Sequence, residues 1–260
     1  VSENNPEGKR AARDRLQAER ERQRSRDRQR RMLIALAAVV GVLAVVALIG
    51  MMVGGFGDDG DDGDDDEPVA YPRGAVGEDR LALPAGQADA PAVLTVYEDF
   101  RCPACAQFEA GFGKTINELV DAGKLRAEYR LVRLIDGNFG GSGSRNAANA
   151  AACAQDAGEF VPYHDLLFRS QPPETDDAFA DKGRLKELAG KIDGLRGKTF
   201  DACVDDGRYD GWVNASDDAF AESGHNSTPT VLLDGESIYD QGSGLTPESF
   251  RRLVEDAGTS

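Results

Sequence analysis

The sequence predicts an α/β domain placed behind an apolar N-terminal segment. Three observations predict it. A strand, a helix and a second strand follow one another between Ala92 and Leu134. A block of roughly 80 residues with helical periodicity comes next. Strand character then returns at Thr230, and a capped helix closes the domain.

The 260 residues carry a formal net charge of −16, unevenly spread. Residues 1–31 hold eleven Lys/Arg and six Asp/Glu, net +5, and residues 57–67 hold eight acids and no base. Residues 68–260 hold 19 bases and 32 acids, net −13. An acidic main body argues against nucleic acid as a partner, because phosphates need a basic face. The 40% hydrophobic content excludes full disorder, and four cysteines are too few for a small disulfide-dense scaffold.

Residues 1–31 read as a basic cytoplasmic tail. Ala, Leu, Gln, Glu and Arg favour helix, and opposite charges recur four apart, as at Arg10 and Asp14. No apolar face exists, so the tail builds no core; it orients insertion, with lipid headgroups as a weaker target. From Met32 to Gly57 there is no charged residue. Residues 32–53 would span about 33 Å as a helix, enough for a hydrocarbon core of ~30 Å. A transmembrane signal-anchor is expected. The rival is a cleaved signal peptide, whose apolar core usually runs only ~7–15 residues. Its best cleavage site here, Gly55-Phe56-Gly57, is poor. The basic flank leaves the N-terminus in the cytoplasm and everything after Val53 outside, making a single-pass cell-membrane protein. Residues 54–72 form an acidic flexible linker. Its GDDGDDGDDDE run lacks the twelfth-position Glu and flanking helices of a calcium loop, so self-repulsion is the reading.

The folded domain spans 73–260. Ala92–Tyr97 is rich in β-branched and aromatic types and reads as a buried strand. Pro103 to Val120 reads as a helix, with Phe108, Phe112, Ile116 and Leu119 at three- and four-residue steps. Leu125–Leu134 alternates as a second strand, so a βαβ unit with parallel strands is expected. A helical insertion covers about 141–224, with helices at 144–157, 162–169, 182–192, 199–206 and 208–223. Pro172-Pro173, Gly194 and Gly207 separate them. Thr230–Leu233 is a strand, Asp234-Gly235 a hairpin signal, and Ser237–Tyr239 its partner. Thr246 caps the last helix and Pro247 takes its first position.

Cys102-Pro103-Ala104-Cys105 joins the first strand to the first helix. Free N–H groups and the dipole at a helix N-terminus stabilise an anion, so a thiolate is favoured there and its pKa falls from ~8.5 to ~3.5–7.5. Cys102, at the helix start, should be exposed and attack. Cys105, one turn in, should face the core and resolve the mixed disulfide. Half of a zinc site would need a second ligand pair, whereas Cys153 and Cys203 stand alone and His164 and His225 are the only histidines. A purely structural Cys102–Cys105 disulfide stays open. No metal and no cofactor is called for. The second signal is Thr228-Pro229 just before the Val231–Leu233 strand; the residues alone fix no cis bond there.

The stretches Tyr97-Glu-Asp-Phe-Arg-Cys-Pro-Ala-Cys105 and Thr228-Pro-Thr-Val-Leu-Leu-Asp-Gly235 resemble the thioredoxin superfamily, specifically its DsbA-like thiol:disulfide oxidoreductases. The resemblance covers about 73–257 and implies a thioredoxin-like fold with an inserted helical block. It implies that Cys102 and Cys105 are catalytic, that Pro229 is a cis proline facing them, and that Thr228 hydrogen-bonds substrate backbone. It also implies exported protein thiols as substrates and a DsbB-like or vitamin-K-epoxide-reductase-like membrane partner for reoxidation. The family often has a buried acid six residues before the first cysteine; here that residue is Val96. Strand alternation puts Glu98 on the same face as Val96, so Glu98 is the substitute proton relay, unless Glu98 and Asp99 are solvated loop residues.

Cys153 and Cys203 have apolar neighbours on helices, and an exported domain meets an oxidising compartment. A structural disulfide between them is expected, and some DsbA-like proteins carry a second bridge; two inert buried thiols are the alternative. The expected function is a membrane-tethered oxidase of exported proteins. A reductase or isomerase of the same fold, or a redox-inactive tethered chaperone, competes with it.

Overall fold

The computed structural model describes residues 69–240, 242 and 244–258. The basic tail, the 32–53 segment and the linker as far as residue 68 lie outside the described residues. Among the described residues no helix is long and apolar enough to cross a membrane.

Five strands form one sheet: β1 (Leu83–Ala85), β2 (Val93–Glu98), β3 (Arg126–Leu131), β4 (Thr230–Leu233) and β5 (Glu236–Ser237), in spatial order β1-β3-β2-β4-β5. β2 and β3 run parallel, joined by α1 (Pro103–Asp121), as the βαβ reading expects. β1 pairs antiparallel with β3, and β4 antiparallel with β2. The register sets Leu94 beside Ala127, Val96 beside Tyr129 and Glu98 beside Leu131. All six are buried, so alternation gives one core-facing surface on which an acid takes the last position. Asp234 (φ 48°) and Gly235 (φ 87°) make the two-residue turn into β5. Positive φ at both central residues is the turn whose twist matches a hairpin.

The insertion holds α2 (Leu134–Phe139), α3 (Gly143–Ala157), α4 (Phe160–Arg169), a 3-10 turn (Ala178–Ala180), α5 (Lys182–Ala189), α6 (Lys198–Asp205) and α7 (Asp210–Glu222). α3 is its axis. Ala147, Ala148, Ala150, Ala151, Ala152 and Ala154 are all fully buried, and their small side chains let α4, α6 and α7 pack around one helix. Cys153 on α3 and Cys203 on α6 are disulfide-bonded, with Cα atoms 6.0 Å apart. α8 (Pro247–Ala257) starts in a capping box built by Thr246 and Ser249 and packs on α1.

Three expectations are corrected. The strand expected to reach Leu134 ends at Leu131, and the insertion begins at Leu134 rather than near 141. α2 is held there by partners distant in sequence: Asp99 Oδ2 accepts from the Ile135 N–H, and Asp136 binds Arg101. The 182–192 helix stops at Ala189, where Gly190 closes it. β1 carries no alternating signal in its three residues; its Pro84 is tolerated because β1 is an edge.

Candidate active site

Cys102 is the N-cap of α1, with Pro103 at its first position. The Ala106 N–H donates to the Cys102 carbonyl, 3.2 Å, starting the helix. The segment entering this cap is tied down on both sides. Gln171 Nε2 donates to the carbonyls of Phe100 and Cys102, 2.9 Å each. Asp99 Oδ1 accepts from the Arg101 N–H at 2.7 Å, and burial pushes Asp99 up to about 7 against its amide donors. Arg101 points into the insertion, 2.6 Å from Asp136 and 3.0 Å from Asp177. Asp136 and Asp177 in turn accept the first N–H groups of α3. The cysteine loop and the insertion therefore share one buried charged junction.

Cys102 is buried, only 6% exposed, where an exposed sulfur was expected. The loop before β4 covers it: the Thr228–Pro229 bond is cis, and the Cys102 thiol donates to the Thr228 carbonyl at 3.3 Å. Thr228 Oγ1 lies beside it, buried with no hydrogen-bond partner. Thr228, the residue before the cis proline, therefore lies against Cys102.

The two sulfurs differ in electrostatics. For Cys102 the hydrogen bond from the Cys105 thiol acts most strongly; burial opposes it; the Thr228 side chain and the N–H groups of Cys105 and Ala104 add to it. The net effect pulls Cys102 down to about 6. Burial pushes the Cys105 thiol well above its usual value, and the Cys102 and Glu98 charges push it further. The dithiol is thus asymmetric: one sulfur ionises readily and the other keeps its proton.

Behind Cys105 lies a second constellation. Glu98 and Asp99 are fully buried, so neither is a solvated loop residue. Glu98 Oε1 lies 2.6 Å from His164 Nε2 on α4, and His164 Nδ1 lies 3.1 Å from Asp165 Oδ1. Glu109 on α1 completes the group, its Oε1 buried without a partner. Glu98, Glu109 and His164 could each offer a donor atom to a metal. Two donors on one zinc would stand roughly 3.3 Å apart given Zn–N and Zn–O near 2.0 Å, so the 2.6 Å contact is a charge-assisted hydrogen bond. Burial works against charge on His164, but Glu98, the hydrogen bonds to Asp165 and Glu98, and the Glu109 charge outweigh it and push His164 up to about 10. Burial likewise pushes Glu109 up to about 8.

Sequence reasoning weighed His164 only as a zinc ligand and passed over Glu109. Glu109 stands four residues after Cys105, on the buried stripe of α1, so helical periodicity could have exposed it as an acid facing the core. Arg101 and Gln171 carry no local signal of their role.

A parallel βα start carrying a thiolate-prone cysteine across from a cis proline is a device for exchanging disulfides. Residues 81–256, more than half of the chain, match the family described as Thioredoxin. The disulfide bond formation protein D of Bacillus subtilis is 27% identical over 156 residues, 59% of this chain and 68% of that protein. Among solved structures, DsbA from Mycobacterium tuberculosis is 32% identical, with TM-score 0.59, over 69% of this chain and 93% of that one. MdbA, a thiol-disulfide oxidoreductase from Actinomyces oris, is 26% identical, with TM-score 0.61, over 73% of this chain and 93% of that one. The chain belongs to the thioredoxin family, among its DsbA-like thiol:disulfide oxidoreductases.

Proposed function

We propose that this chain is a disulfide oxidase of exported proteins, with Cys102 as nucleophile and Cys105 as its resolving partner. The observation that carries the reading is the split between the sulfurs, with Cys102 pulled to about 6 and Cys105 pushed up by burial. Stabilising the thiolate stabilises the reduced pair, and a stable reduced pair makes the disulfide form a stronger oxidant. A reductase also attacks through a thiolate, so the reduction potential of the pair separates the two directions.

In the proposed cycle a substrate thiolate attacks Cys102 Sγ of the disulfide form. The Cys102–Cys105 bond breaks and Cys105 leaves as the thiol. A second substrate thiolate then attacks the substrate sulfur, releasing a substrate disulfide and the Cys102 thiolate. Thr228 and Pro229 hold the substrate backbone beside Cys102, with the Thr228 carbonyl, which meets Cys102 Sγ in the dithiol, as acceptor. Glu98 exchanges the Cys105 proton. A membrane quinone-linked partner, DsbB-like or vitamin-K-epoxide-reductase-like, restores the disulfide.

Residues 32–53 anchor the protein in the cell membrane in this reading, with the N-terminus cytoplasmic and the catalytic domain outside. Protease added to spheroplasts should digest the domain; protection in sealed cells would sink the topology. The direction of electron flow is tested by the reduction potential of the Cys102/Cys105 pair against a glutathione series. A value near that of thioredoxin, ~−270 mV, would turn the assignment to a reductase. Trapping decides the roles: Cys105→Ala should accumulate a mixed disulfide with substrate, and Cys102→Ala should not.

A further inference from the structure

Thr228 meets Cys102 from a segment that the sheet does not hold. α7 ends at Glu222 and β4 starts at Thr230. Among the described residues, 224–229 make no backbone–backbone hydrogen bond. Gly224 (φ 82°) turns the chain out of α7, and the cis bond at Pro229 leads it into β4. A span without ladder bonds opens easily unless side chains stop it. Thr228 is nonetheless closely placed, with its carbonyl 3.3 Å from the Cys102 sulfur.

Side chains hold the span at three points. The His225 N–H donates to Ser223 Oγ at 3.2 Å, and the Ser223 hydroxyl donates to the Phe220 carbonyl at 2.7 Å. The Thr230 hydroxyl donates to the Ser227 carbonyl at 2.7 Å. These first two contacts are local and tie the span only to its own flanks. The third reaches across the fold. The His225 imidazole lies 5.6 Å from the Tyr97 ring, centroid to centroid, and 6.5 Å from the Phe220 ring. Tyr97 and Phe220 are themselves 5.4 Å apart, so three rings make one cluster. Tilted and offset rings at such separations attract beyond the area they bury. The rest of the span is Gly, Asn, Ser, Thr and Pro, so His225 carries its only ring system of this kind.

Tyr97 is a firm seat. It pairs with Thr230 across the β2–β4 ladder. The Arg130 guanidinium on β3 stands over its ring at 5.6 Å. Arg130 is held in turn by two hydrogen bonds to Asp79, 2.7 and 3.0 Å. Tyr97 also lies five positions before Cys102, on the strand that leads into the cysteine loop. One strand therefore sets both partners. β2 runs on to Cys102, and its Tyr97 holds the span that carries Thr228.

We propose that His225 is a positioning residue: its ring, seated on Tyr97 and Phe220, holds residues 224–229 so that Thr228 stands against Cys102. The proposal rests on the reading of Thr228 as the residue that meets both the Cys102 sulfur and the substrate backbone, and it names what places Thr228. His225 acts through Thr228 and is not catalytic. With the ring seated, the freedom of the span is lost on folding rather than on binding. Thr228 then meets a thiolate or a peptide without reordering, which is what preorganisation contributes to affinity.

The test uses the full chain in detergent. Its readouts are the pH midpoint of Cys102 alkylation by iodoacetamide in the dithiol form, and KM and kcat for oxidation of a dithiol peptide. His225→Ala should raise the midpoint by about half a unit, the size of one aromatic pair. It should weaken kcat/KM by roughly 3- to 10-fold on the same basis. KM should change more than kcat, because the ring prepares the binding of substrate. His225→Phe keeps a ring and removes the ring nitrogens, and should return both readouts to the unaltered level. In a Thr228→Val background the midpoint shift of His225→Ala should vanish, because the hydroxyl that it places is gone. Ser249→Ala weakens the α8 capping box, outside the span. It should lower the urea midpoint and leave the Cys102 midpoint in place, which separates placement from general stability.

An unchanged Cys102 midpoint in His225→Ala would overturn the proposal. So would a shift that Phe does not restore, by assigning the effect to the imidazole nitrogens. A shift of the same size in the Thr228→Val background would overturn it too, by making His225 act on the sulfur without Thr228. Alkylation needs no substrate and is indifferent to the direction of electron flow. Its failure therefore removes the role of His225 and leaves the oxidase reading standing, which the reduction potential tests separately.

Discussion

Cys102 and Cys105 stand three residues apart at a helix start, whereas Cys153 and Cys203 are separated by 50 residues and tie α3 to α6. Exposure does not set the pairs apart in the expected direction. Cys102 is 6% exposed, while Cys203 is only half-buried and lines a cavity. What differs is the company each sulfur keeps. Cys102 has a thiol, a hydroxyl and two helix-terminal N–H groups aimed at it. Cys153 sits in the middle of α3 among alanines, where backbone N–H groups are already spent on the helix. Donors at a helix start confer thiolate character, and burial alone confers only inertness.

The largest break in this comparison is Cys102→Ser. Oxidation of a dithiol peptide should fall to the uncatalysed background, because the remaining thiol at 105 is both covered and protonated. Residual turnover above background would mean that Cys105, or the second pair, can start the exchange.

Next is the double variant Cys153→Ala/Cys203→Ala. In the chain-entropy model, opening a loop of about 50 residues costs ~4 kcal/mol. The urea midpoint should drop accordingly, while activity per folded molecule stays at the unaltered level. A loss of activity without a loss of stability would make the second pair a redox participant and erase the contrast.

How far each pair was legible in sequence follows from how local its determinants are. The strand, the Cys-Pro-Ala-Cys cap and the helix are consecutive, so periodicity and capping chemistry reveal them together. The α3 alanine run and the apolar context of Cys153 and Cys203 are visible in the same way. Burial of Cys102 is not, because the covering loop at Thr228 comes 126 positions later. Nor is the role of Arg101, whose partners Asp136 and Asp177 are 35 and 76 positions away in the numbering. His164 is the instructive miss. Its partner Glu98 lies 66 positions away, and an isolated histidine in an apolar helix gives no hint of which acid it will meet.

The pH dependence sharpens the comparison further. Alkylation of Cys102 by iodoacetamide should have its midpoint near pH 6, with little gain above neutrality. The linked effect on stability has a definite sign. The folded thiol ionises below the unfolded one, whose value is ~8.5, so the folded state binds fewer protons between the two. Reduced protein should therefore gain stability over Cys102→Ser as pH rises from about 6 toward 8.5, and lose that advantage as pH falls through about 6. The disulfide-bonded second pair does not titrate and should add nothing to this slope. A midpoint near 8.5 would leave Cys102 no different from an ordinary cysteine.

The smallest expected effect isolates one donor. Thr228→Val keeps the shape of the side chain and the backbone carbonyl that accepts from Cys102, but removes the hydroxyl that has no partner in the dithiol. A neutral thiol does not use that hydroxyl; a thiolate would accept from it. Its loss should therefore weaken only the ionised state. A hydrogen bond to a charged group contributes ~1.5–3 kcal/mol, and 1.36 kcal/mol corresponds to one pKa unit. The Cys105 thiol and the helix N–H groups remain and will compensate in part, so the Cys102 midpoint should rise by about one unit. The reduction potential should become less oxidising in step, since the reduced pair has lost part of its stabilisation. An unchanged midpoint would assign the whole effect to Cys105 and the helix start, leaving Thr228 a role in holding substrate alone.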